Sequence, residues 1–142
     1  MTDIAFHFNV PNKLAYACRL LRKGVASGAK IVVTGPSEAL QSLDADLWDV
    51  SPTDFLPHCG QSATASVVDK SPIVLVQTLQ SVPHHEVLIN LDTQVPPGFD
   101  SFQRVIEIVT HDDVDKLEAR LRWKHYAKAG LTLTRHDLDL KA

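Results

Sequence analysis

Phe6-His7-Phe8-Asn9-Val10-Pro11 and Lys30-Ile31-Val32-Val33-Thr34-Gly35-Pro36, with one helix-periodic segment between them, decide the fold class. Phe6, Phe8 and Val10 alternate, which predicts a first strand buried on one face and stopped by Pro11. From Asn12 onward, Leu14, Ala17, Cys18, Leu21 and Val25 recur at helical spacing until Gly28, giving a helix over roughly 12–27. The short apolar run 30–34 fits a central parallel strand. Strand, helix and strand within so short a span form a βαβ unit, whose crossover is right-handed. The expected fold is therefore a single α/β domain over residues 1–142 with a mostly parallel central sheet flanked by helices.

Outward from this unit, 37–48 reads as a second helix, with Ser37 as N-cap and Ala39, Leu40, Leu43 and Leu47 turned inward. Two prolines and a glycine make 51–60 irregular. Further strands are expected at 72–78, 86–91 and 104–109, then a helix over 112–129 closed by Gly130, and a final extended piece, Leu131-Thr132-Leu133. There is no internal repeat or linker.

The 142 residues are 44% hydrophobic and 22% charged, a composition able to bury one core. The N-terminus has neither the basic start nor the apolar run of a signal peptide, and no stretch is long and apolar enough for a membrane span, so a cytoplasmic protein is expected. Two cysteines, Cys18 and Cys59, read as reduced thiols rather than a disulfide framework. A net charge of −3 argues against a broad surface for naked nucleic acid, which needs an excess of Lys and Arg on one face. The acidic cluster Asp44, Asp46, Asp49 and Asp54 contrasts with a basic segment from Arg120 to Lys128.

Catalytic signatures are missing. Gly35-Pro36-Ser37 lies between a strand and a helix, where anions bind, but neither GxxxxGK[ST] nor GxGxxG is present, and an ordinary strand-to-helix turn accounts for it. His58-Cys59 and His84-His85 lack metal-ligand spacing, since adjacent residues on a strand face opposite ways. Cys59 has no local nucleophile motif around it. No metal or cofactor is expected, and a small α/β enzyme acting on a nucleotide or other small molecule is the rival reading.

The last helix carries the informative pattern. Acids open it and lysines close it, matching the helix dipole, while Val114, Leu117 and Leu121 suggest an inward apolar stripe. A second stripe, Lys116, Arg120, Lys124 and Lys128, sets like charges one turn apart, an arrangement that costs a few tenths of a kcal/mol per pair unless something acidic answers it. Trp123 flanks this row, turned ~60° from Arg120. A basic row beside an aromatic suits an acidic peptide with an aromatic side chain or a free carboxylate; a solvated basic face is the plain alternative.

Taken in order, Phe6-His7-Phe8, Leu43-Asp44-Ala45-Asp46-Leu47-Trp48, Asp54-Phe55-Leu56-Pro57-His58, Val87-Leu88-Ile89-Asn90-Leu91 and the run from Arg120 to Leu131 resemble the chi subunit family of bacterial DNA polymerase III. The resemblance covers nearly the whole chain. It implies a Rossmann-like domain without nucleotide site or catalysis, an adaptor with two protein partners. One is the acidic C-terminal tail of single-stranded DNA-binding protein, which ends in a Pro-Phe carboxylate; the other is the psi subunit of the clamp loader. Matched by residue, the tail site falls on Lys116, Arg120, Trp123, Lys124 and Tyr126, and the psi-facing patch on Trp48, Phe55 and Val109. Trp123 stands where the family pattern has Tyr, and residues 134–142 match no part of that pattern.

Overall fold

The computed structural model describes residues 2–49, 58–60, 73–77, 79, 82 and 84–137. Among the described residues seven strands lie in one sheet: β1 (Asp3–Val10), β2 (Ile31–Thr34), β3 (His58–Gly60), β4 (Ile73–Val76), β5 (Val87–Asn90), β6 (Arg104–Thr110) and β7 (Thr132–Asp137). Their spatial order is β3-β4-β2-β5-β6-β1-β7, and every pairing is parallel. Helices α1 (Lys13–Ala26) and α2 (Ser37–Asp49) cover one face of the sheet and α3 (Asp113–Lys128) the other. The fold is the expected Rossmann-like α/β class. The first and second strands are parallel but not adjacent, because β5 and β6 lie between them.

Asn12 caps α1, its side-chain oxygen accepting from Ala15 N at 2.9 Å. The helix then buries Ala17, Cys18 and Leu21 against Ile31, Val33, Ile89 and Ile108. Ser37 is the first residue of α2 rather than its cap: Pro36 contributes the carbonyl that accepts from Leu40 N. Gly35 is a packing glycine, since a Cβ there would sit 2.9 Å from the Cβ of Leu91. His58-Cys59-Gly60, expected in an irregular segment, forms the short edge strand β3, paired with β4.

The first strand does not bury a single face. Its pairing with β6 shifts register between His7 and Val10, and Asn9 adopts φ 61, a left-handed conformation that Asn tolerates better than most residues. Phe6 and Phe8 consequently pack on the α3 side, whereas Val10 packs on the α1 side.

At the far edge, Gly130 (φ 80) ends α3: Gly130 N donates to Ala127 O and Leu131 N to Tyr126 O. The chain then returns as β7 alongside β1, in register from Asp3↔Thr132 to Phe8↔Asp137. This strand extends well past the expected Leu131–Leu133.

Candidate functional site

The site is built on α3 and on the two strands beneath its edge. Asp112 caps the helix, accepting from Asp115 N at 3.1 Å. Asp115 reaches back, accepting from Thr110 N (2.8 Å) and Thr110 Oγ1 (2.9 Å), and pairs with Lys13 Nζ at 3.3 Å, which ties the start of α3 to α1. Burial alone would raise its carboxyl, but the Thr110 donors and the Lys13 charge hold it below the ordinary range.

Under the helix sits a polar cluster. Glu107 on β6 is fully buried and accepts from Arg122 Nε at 3.0 Å, Tyr126 OH at 2.6 Å and Asn90 Nδ2 at 2.9 Å. Arg122 Nη1 also donates to Thr93 O at 3.0 Å. Burial pushes the Glu107 carboxyl up, while Arg122 and the Asn90 and Tyr126 donors oppose that rise. Burial, then the neighbouring Glu107, push the Tyr126 hydroxyl up, so it stays a donor. Such a cluster fixes the rotation of α3 on the sheet, because any other rotation would strand a buried carboxylate.

That rotation opens a cavity of about 380 Å³ along the α3 edge. Lys116, Ala119, Arg120, Trp123 and Lys124 line it from the helix, Phe8 and Asn9 from β1, and Arg135 from β7. Its apolar wall is Trp123 and Phe8, tilted against each other with centroids 6.5 Å apart, and the buried Phe6 backs Trp123 at 5.0 Å. Its rim is cationic. Among the described residues none of Lys116, Arg120, Lys124 and Arg135 is paired with a carboxylate. The pocket thus offers open cations beside aromatic faces, a pairing suited to a carboxylate that carries an aromatic side chain.

The sequence pattern of the family described as "DNA polymerase III chi subunit, HolC" matches residues 1–134. The DNA polymerase III subunit chi of Haemophilus influenzae (strain Rd) is 31% identical over 124 residues, which are 86% of this chain and 85% of that relative. This chain belongs to the DNA polymerase III chi family. As a chi-family member it is an accessory subunit of DNA polymerase III, with a role in DNA replication.

The chi fold brings together Lys116, Arg120, Trp123 and Lys124, all expected at one site. Tyr126 departs from that expectation. It is fully buried and bonded to Glu107, with its ring 5.9 Å from that of Phe6, so it supports the pocket from below rather than lining it. Val109 is also fully buried, packed on the α3 face of the sheet, and cannot belong to a surface patch. Phe55 and the side chain of Trp48 lie outside the described residues.

The stripe Val114, Leu117 and Leu121 faces outward, at 60%, 59% and 66% exposure, where the sequence suggested a buried face. The buried residues of α3 are Ala119, Arg122 and Tyr126, roughly 140° around the helix from the leucines. Small Ala119 permits close approach to the sheet and the polar pair anchors it, so this helix docks through polar chemistry that apolar periodicity does not report. Four pocket residues were missed by sequence reading: Phe8, assigned to core; Asn9, beside the bulge; Ala119, given no role; and Arg135, beyond the expected strand. A usable signal existed for the last, since the alternation of Leu131 and Leu133 continues onto Arg135.

Proposed function

We propose that this chi-family protein is a non-catalytic, cytoplasmic replication adaptor whose α3 pocket binds the acidic C-terminal tail of single-stranded DNA-binding protein and which joins that protein to the clamp loader through the psi subunit. The observation that carries the tail reading is the open cationic rim set directly against the Phe8–Trp123 aromatic wall. Arg120 is assigned to the terminal carboxylate, because its planar fork holds both oxygens, while Lys116 and Lys124 act as point charges for acids further up the peptide. Trp123 and Phe8 receive the terminal ring. The psi link rests on family membership and on Trp48 and Phe55.

A short tail loses entropy on ordering, so affinity is expected on the order of micromolar. Titration of a tail peptide into wild type, Arg120→Ala and Lys124→Ala tests the reading. A hydrogen bond to a charged group is worth about 1.5–3 kcal/mol, so Arg120→Ala should weaken binding roughly ten- to 150-fold, and raised salt or removal of the last Phe should weaken it too. Equal affinity across these variants, all folded, would leave the basic row as a solvated face.

A further inference from the structure

Arg135 is the one cation of the rim to which the tail reading assigns no role. It lies on β7, in the stretch without a family pattern, and the family match ends at residue 134. Yet it lines the same cavity as Arg120. Three observations show that its position is built. Its guanidinium carbon lies 4.7 Å over the ring of Phe8, which orients the charge by cation–π attraction. Its strand is paired to β1 in unbroken register, with Phe6 opposite Arg135 and Phe8 opposite Asp137. Asn9 Nδ2 donates to Asp137 Oδ1 at 2.7 Å, closing the strand end just beyond the arginine. A guanidinium over a ring face uses none of its five N–H donors on a carboxylate there, and no carboxylate among the described residues takes them.

We infer that Arg135, held on Phe8, is a second carboxylate-binding residue of the pocket, acting from β7 on the terminal carboxylate of a bound peptide while Arg120 acts from α3. The inference rests on the proposed tail site and adds a residue, and a whole element, to it. In this chain the pocket is then a clamp between a helix and an edge strand, and its preference for a free C-terminus comes from two guanidinium groups.

The test uses the full chain and two labelled peptides, both acidic and ending in Pro-Phe, one with a free C-terminal carboxylate and one amidated. Arg135→Ala should weaken the free-acid peptide roughly tenfold or more, and the amidated peptide by no more than about twofold. Arg135→Lys should fall between, since it keeps the charge and loses the fork. Thermal unfolding of both variants should match wild type, because the side chain is exposed. Arg135→Ala binding the free acid as tightly as wild type, while Arg120→Ala loses affinity, would overturn this inference and leave the tail site standing. Equal weakening of both peptides would assign Arg135 to supporting the Phe8 wall and also overturn it. If wild type binds neither peptide, the tail site itself falls and this inference with it.

Discussion

The two faces of the sheet are closed by different chemistry. Beneath α1 and α2 the contacts are aliphatic: Ala17, Cys18, Leu21, Leu40 and Leu43 meet Ile31, Val33, Leu75 and Ile89. Beneath α3, Phe6, Val105 and Phe102 share the interface with a buried Glu107–Arg122 pair, Asn90 and Tyr126. Apolar contact is non-directional, and a helix held by it tolerates small rotations. A buried ion pair with hydrogen-bonded neighbours permits one orientation. The face that carries the pocket is the one whose helix orientation is specified, and Trp123, one residue after Arg122, takes its place over Phe6 and Phe8 from that constraint.

The sharpest way to break the contrast is Glu107→Gln against Leu21→Ala. Removing one partner of a buried pair costs about 3–5 kcal/mol, and emptying a core leucine site about 2–5 kcal/mol. Both should lower the denaturation midpoint, but under native conditions only Glu107→Gln should also weaken the tail peptide, because only it loosens α3. Equal peptide affinity in the two variants would separate the polar cluster from the site.

A smaller effect is expected at the N-terminus of α3. Asp115 has a carboxyl held below its ordinary value of 3.8, so its folded form binds fewer protons there than its unfolded form. Its stabilisation is complete above that value and lost as pH falls through the lower, folded one. Asp115→Asn weakens the hydrogen bonds accepted from Thr110 and should cost about 1 kcal/mol near neutral pH, with the gap to wild type narrowing as pH falls below about 4. A gap that stays constant in acid denaturation series would remove the charge from the account.

The smallest effect belongs to the outward stripe. Leu121→Ser, at a 66% exposed position, should change stability by no more than about 0.5 kcal/mol. A loss of ~2 kcal/mol or more in chemical denaturation would mean that this face is covered and that the α3 orientation described above is wrong.

The sequence by itself determined six of the seven strands, the three α-helices and their order, though not the edge strand β3 or the length of β7, because alternation, helical spacing and the Gly and Pro stops are local signals that the chain obeys. It also determined the cationic row with its aromatic, since spacing on a helix fixes which side chains are neighbours. Only the tertiary structure decided which side of α3 faces the sheet. Periodicity favoured Val114, Leu117 and Leu121, whereas partners distant in sequence, Glu107 on β6 and Thr93 beyond β5, captured Arg122 and Tyr126 instead. The same holds for the strand parity of Phe8 and Val10, switched by one left-handed residue at Asn9, and for Arg135, which reaches the pocket only because β7 closes the sheet beside β1. In each case the deciding energy is a contact between residues far apart in the chain, and such contacts exist only once the sheet has formed.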